Sequence, residues 1–459
     1  MEPKTINMTS GNPLRLLIKF AIPMMLGNIC QQLYSVVDTA VVGKGLGVDA
    51  LAAVGASGWV YGVILGIMLG LTQGFAILIS QSYGAGEYSK LRKVFAHSIV
   101  LTVVCTVVLV AVSQAALEPV LTLMQTPTDI MPGTTLYLRV MFAGIPISMA
   151  YNLLAGTLRS IGDSNTPFQA MIISSVINVV LDLIFVLAFH WGIAGAAIAT
   201  LIAQLSVPIY CYFRIRKLDF LHLSKEDFKP DFRLHWKLFS LGVPLTLQST
   251  IISIGGMILQ TVINKAGVAF IAGYSTTGRL FGLLEMAALS YGYAVVTYMG
   301  QNYGAKKYHR IRQGVRAAMG LGTVTAVVIA GIMLIFGKVF LGFFISGDPA
   351  DAAQTLDFAY QYLTILSICL PILYLLHVLR NTLQGMGKTV LTMISGILEF
   401  IMRTGTALVL PLFMGDYGIF FAEVMAWVGA DLVLVIGYFL TMHKLPKNDI
   451  IETDIITEE

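Results

Sequence analysis

Six carboxylates stand inside long apolar runs of this 459-residue chain: Asp38, Asp182, Glu285, Glu399, Glu423 and Asp431. A charge deep in hydrocarbon costs at least ~2.5 kcal/mol, so acids so placed pair with a cation, face water or carry protons or ions. Asn178 precedes Asp182 by one helical turn, and one helix face therefore presents an amide and a carboxylate together. Counted at ~1.5 Å per residue from the ends of their runs, Asp38, Asp182 and Thr200 all lie ~10 Å below one membrane surface. Two carboxylates with amide and hydroxyl oxygens at one depth make either a proton-sharing pair or a hard-oxygen site for Na+. A buried polar network that only locks the helices together is the plainer alternative. Gln31 and Tyr34 share the helical face of Asp38, seven and four residues before it, and point toward the same cavity or toward interhelical packing.

The remaining polar residues read differently. Glu399 and Arg403 are spaced for an intrahelical ion pair, taken as structural, with Arg403 as a fixed mimic of a bound ion the alternative. Glu285 and Asp431 are placed to meet a cationic substrate, whereas Glu423 is close enough to a helix end to reach water. His377 could titrate near neutral pH, but a lone buried histidine is more often a packing residue. The string GMGKT at 385–389 lacks the earlier glycine of a phosphate loop, because Thr382 stands there. Cys30, Cys105, Cys211 and Cys369 lie in apolar runs without metal-ligand spacing. With no HExxH, GxSxG or paired-cysteine motif, the chain carries no visible catalytic constellation, and neither an enzyme nor a cofactor nor a resident metal is expected.

The elements that must position these residues are membrane spans. With 56% hydrophobic and 12% charged residues and a mean hydropathy of +0.79, the chain has too little polar surface to coat a soluble globule. Apolar runs at 14–43, 51–82, 91–114, 132–161, 166–189, 192–216, 234–265, 269–302, 311–346, 355–385, 389–414 and 417–442 predict twelve transmembrane helices. Pro23 interrupts the first and offers a hinge. With the N-terminus in the cytoplasm, 23 of the 29 Lys and Arg residues fall in or beside cytoplasmic segments, so both termini are expected there and the net charge of +4 calls for no nucleic acid.

An internal repeat divides the chain. QSYGAGEYSKLR at 81–92 aligns without gaps on QNYGAKKYHRIR at 301–312 with six identities. The register pairs Pro23 with Pro244, and Thr157, Leu158 and Gly162 with Thr382, Leu383 and Gly387; Glu399 and Arg403 are read as the repeat positions of Asn178 and Asp182. The expected organisation is an all-α membrane protein of two pseudo-symmetric six-helix lobes around a central cleft, with an N-terminal lobe at 14–216, a cytoplasmic linker at 217–233 and a C-terminal lobe at 234–443.

The Gln-x-x-Gly-Ala turns after helices 2 and 8, YSVVDTAVVGKGLG at 34–47 and TLRSIGDSNTP at 157–167 resemble the multidrug and toxic compound extrusion (MATE) transporters, over about Leu14 to His443. The likeness is strongest to the DinF-like branch of bacteria and archaea. There the resemblance implies a cation-coupling site in the N-terminal lobe, matched position by position by Asp38, Asn178, Asp182 and Thr200. It also makes Tyr137, Asn152 and Met171, beside Gln31, Tyr34 and Glu285, candidates for the substrate cavity. Helix 7 has no acid between Pro244 and Lys265, a departure from the branches that couple in the C-terminal lobe.

What the resemblance implies is a monomeric secondary transporter of a bacterial or archaeal inner membrane that exports amphipathic or cationic small molecules against H+ or Na+. A flippase of a lipid-linked precursor, an exporter of one metabolite, and a receptor without transport are the rivals. A flippase should show about fourteen helices or an Arg- and Lys-rich cleft. A receptor should carry a sizeable soluble domain or a partner-binding tail.

Overall fold

The computed structural model describes residues 5–345, 349–446 and 449. The long apolar runs become helices because, without water, only the intrahelical ladder satisfies their backbone groups. In chain order these are α1 (Pro13–Leu46), α2 (Val48–Gly84), α3 (Tyr88–Leu123), α4 (Met131–Ala143), α5 (Ile145–Ser160), α6 (Asn165–Asp182) and α7 (Gly192–Ile215). They continue with α8 (Phe232–Ile263), α9 (Val268–Gly304), α10 (Tyr308–Gly342), α11 (Pro349–Gly385), α12 (Thr389–Val409), α13 (Pro411–Met414) and α14 (Ala422–Lys444). No strand occurs among the described residues.

Nine of these helical stretches are each long and apolar enough to span a bilayer alone, and α4 with α5 makes a tenth span, bent by 47°. The 56 residues Thr389–Lys444 form an unbroken apolar region. At 1.5 Å per residue that is far more than one bilayer, and α12 packs against α14, so the region is a hairpin of two spans. Twelve spans result among the described residues. The lipid face is visible as exposed stripes that water would not tolerate: Val100, Val103, Val104 and Val107 on α3, and Val324, Val327, Val328 and Ile335 on α10.

Several boundaries differ from the sequence reading, among them the start of α11 at Pro349 rather than at 355. The third helix runs on to Leu123 through Pro119, its end tied by Glu118 to Arg139 at 2.6 Å. The fourth span breaks at Gly144, where Pro146 in the first turn of α5 has no N–H to continue the ladder. The fifth helix leaves α geometry after Asp182 and closes as a π turn over Leu183–Ala188. The last helix starts only at Ala422, because Gly415–Phe421 winds as a 3-10 segment.

The chain forms two compact units. The first holds residues 1–7 and 22–246, the second 8–21 and 247–459. The linker and the start of α8 thus belong with the first unit, and the start of α1 with the second. One contact shows why: a Cβ on Gly74 of α2 would lie 2.3 Å from the Gly242 Cα of α8, an approach that only glycine permits. Pro23 and Pro244 each stand within three residues of the point where their helix changes unit. Each unit has its own core: Met68, Leu117, Leu138, Phe142 and Met149 in the first, Leu280, Met333, Leu341 and Leu363 in the second.

The repeat is written into the turns. Ala85 and Ala305 both donate at 3.0 Å to the glutamine four residues earlier, and the next residue is left-handed in each, Gly86 at φ 72° and Lys306 at φ 55°. Gly162 and Gly387 are likewise left-handed, and the residue after each donates to a leucine carbonyl, at 2.9 and 2.8 Å.

Candidate cation-coupling site

The first unit assembles Asp38 on α1, Asn178 and Asp182 on α6 and Thr200 on α7. Asp182 is fully buried and Asn178 is 2% exposed, while Asp38 is half-buried. Asn178 donates a long 3.4 Å bond to the Thr200 hydroxyl, which donates to the Ala196 carbonyl at 3.0 Å. The acceptors are in a different condition. Both carboxylate oxygens of Asp182, Oδ1 of Asp38 and Oδ1 of Asn178 are buried without a hydrogen-bond donor.

Native interiors satisfy nearly all such atoms, and an ionised carboxylate left bare is among the costliest groups to bury. The Asp38 and Asp182 carboxyls lie within hydrogen-bonding reach of each other. A proton shared between them would supply the missing donor, as would a hard monovalent cation among these oxygens and the Thr200 hydroxyl. No cluster of three or more His, Cys, Asp or Glu suited to a metal occurs among the described residues. The π turn that follows Asp182 widens the backbone there, a distortion frequent at functional positions.

Of the cavity candidates, Tyr34 and Tyr137 stand close enough to both aspartates to feel their charge, and Gln31 hydrogen-bonds Tyr34. Asn152 turns back along its own helix to the Ser148 carbonyl at 2.9 Å. Met171 packs its sulfur toward Gly27 of α1. Glu285 lies in the second unit, 3.6 Å from His377.

Sequence reading missed a polar chain beside Tyr34 and Tyr137. Tyr61 of α2 meets the Ser148 hydroxyl at 3.4 Å, and Ser148 donates to Gln204 at 3.0 Å. Its signal was available in part, since Ser148 stands one turn before Asn152 and Gln204 one turn after Thr200. Tyr61 carries no such signal.

In the second unit the Glu399–Arg403 pair forms at 3.1 Å, with two members the spacing did not reveal. Arg380 of α11 holds Glu399 at 2.5 Å, and Glu423 at the start of α14 holds Arg403 at 2.8 Å. The repeat assignment also needs correction. Counted from the left-handed glycines, Arg403 is as far past Gly387 as Asn178 is past Gly162. Asn178 therefore answers to Arg403, and Asp182 to the buried Ala407.

Known proteins agree with the architecture. The MatE family model matches residues 23–184 and 244–409. The probable multidrug resistance protein YpnP of Bacillus subtilis is 29% identical over 417 residues, covering 91% of this chain and 92% of that protein. The multidrug export protein MepA of Staphylococcus saprophyticus is 24% identical over 383 residues, 83% of this chain and 84% of MepA. Among solved structures, the outward-facing conformation of a multidrug resistance MATE family transporter of the MOP superfamily matches with a TM-score of 0.89 at 23% identity, over 98% of this chain and all of that one. Matching both halves of the chain, the family model settles the family: this protein is a multi-pass membrane transporter of the MATE family.

Proposed function

We propose that this protein is a multidrug efflux transporter that exports amphipathic or cationic compounds in exchange for H+ or Na+ taken up at Asp38, Asn178, Asp182 and Thr200. The observation that carries the reading is the group of buried acceptor oxygens on these residues that no donor satisfies. The names of the relatives in Bacillus and Staphylococcus support drug export as the task.

Binding of the ion removes the penalty of bare buried carboxylates, so the loaded and empty forms prefer different surroundings for α1. Pro23 lacks the N–H that would continue the ladder, which makes it the place where α1 bends between them. The cycle is alternating access, with Tyr34, Tyr137 and Gln31 lining the path beside the aspartates. Each charge moved across 100 mV supplies ~2.3 kcal/mol, enough to bias the exchange. We place the protein as a monomer in a bacterial or archaeal inner membrane with both termini in the cytoplasm, following the distribution of Lys and Arg.

A flippase of lipid-linked phosphates would need free buried cations. Arg380 and Arg403 are instead engaged by Glu399 and Glu423. The test is efflux of a fluorescent cation from proteoliposomes under separately imposed pH and sodium gradients. One gradient should drive export, and Asp38→Asn should abolish the response in a folded protein. Undiminished gradient-driven export by that variant would overturn the assignment.

A further inference from the structure

The second unit contains a charge imbalance that the N-terminal site does not explain. Asp431, on α14, is 7% exposed, and neither of its carboxylate oxygens meets a hydrogen-bond donor. Arg380 from α11 and Glu399 from α12 are the charges that act on it, and through Glu399 the network continues to Arg403 of α12 and on to Glu423 at the start of α14. From the 3-10 segment Gly415–Phe421 the acid is Asp416, which is exposed. Glu399 takes both arginines, and Glu423 takes Arg403. Three carboxylates share two guanidinium groups, and Asp431 is the one left over.

Buried charge of one sign without a partner is among the least tolerable arrangements in a protein interior. The imbalance disappears if one acid is neutral. We propose that Asp431 is a second proton-loading site, belonging to the second unit where Asp38 and Asp182 belong to the first. Loaded, it is the neutral acid that balances the cluster. On unloading, its O–H bond breaks, the proton passes to a water molecule that reaches the carboxyl, and the electron pair stays on the carboxylate.

Arg380 is built to receive that carboxylate. Its Nε–H is buried without an acceptor, and its charge already acts on Asp431. Arg380 can therefore turn between Glu399 and Asp431 as the proton arrives and leaves, a two-position device of the kind that ties ionisation to helix movement. A proton suits the site better than a metal cation, because the guanidinium beside Asp431 repels a second positive ion but not a neutral acid.

The experiment is infrared spectroscopy of the full chain in lipid, titrated through neutral pH, which separates protonated carboxyl groups from carboxylates. The difference between wild type and Asp431→Asn should contain one protonated-carboxyl band that disappears as pH rises. Glu423→Gln should remove the same band although Asp431 is intact, since two carboxylates then face two arginines. Spectra of Asp431→Asn superimposable on wild type, or a band that survives in Glu423→Gln, would refute the site. If Asp431→Asn does not fold, Glu423→Gln decides alone. No gradient or substrate is involved, so the result stands apart from the coupling role of Asp38 and Asp182.

Discussion

The two halves of the chain place different chemistry on the same backbone. Beyond the left-handed Gly162, α6 carries Asn178 and Asp182 with acceptor oxygens no donor meets; beyond the left-handed Gly387, α12 carries Glu399 and Arg403, saturated by each other, Arg380 and Glu423. A site that must take up and release an ion has to be left unfinished by the protein. A site that fixes helices does not. In the function proposed above, coupling belongs to the bare carboxylates and structure to the paired ones, with Asp431 as the unfinished member of the second group.

The sharpest way to break this contrast is to unpair the second unit. Arg403→Ala leaves Glu399 with half its cations and Glu423 with none, and should destabilise the protein by about 3–5 kcal/mol, as removal of one partner of a buried pair does. Thermal unfolding in detergent or lipid would show it. A loss below ~1 kcal/mol would mean that the network is not structural.

The turns allow a finer comparison. Gly162 at φ 89° has the Ile6 carbonyl oxygen 2.1 Å from where a Cβ would sit. Gly162→Ala should therefore cost more than the roughly 1–2 kcal/mol of left-handed strain alone. Gly86→Ala, at φ 72° with nothing within 4 Å of its Cβ position, provides the reference within the same protein. Equal losses would remove the argument from the Ile6 contact.

The smallest effect belongs to Lys306, a non-glycine residue at φ 55° where the first repeat has Gly86. Its cation is not needed for the turn, so Lys306→Gly should raise stability by less than about 1 kcal/mol, strain relief being offset by chain entropy. A measurable loss would show that the Lys306 side chain contributes to the second unit.

Much of this was legible in the residues. Runs of twenty or more apolar residues leave helices as the one way to satisfy the backbone, and counting along them brought Asp38, Asp182 and Thr200 to one depth. The i, i+4 rule found Asn178 with Asp182 and Glu399 with Arg403, because both partners share a helix. It could not find Arg380, which reaches Glu399 from α11, or Glu423, which reaches Arg403 from α14. Nor could hydropathy place the bend at Gly144 or the π turn after Asp182, which arise from local hydrogen bonding within uniformly apolar segments.

The repeat misassignment has a similar cause. The offset between halves drifts from 221 residues at the start of the family match to 225 at its end, and the early value shifts α12 by one turn. The left-handed Gly162 and Gly387, 225 residues apart, carry the later register.

The central claim is that unfinished acceptors couple transport. The direct test is gradient-driven export in proteoliposomes by Asp182→Asn, with thermal unfolding recorded on the same preparation. The account predicts a protein within ~1 kcal/mol of wild-type stability, because the replaced carboxylate has no donor to lose, and export that no longer responds to the ion gradient. Wild-type gradient-driven export by this variant would contradict it.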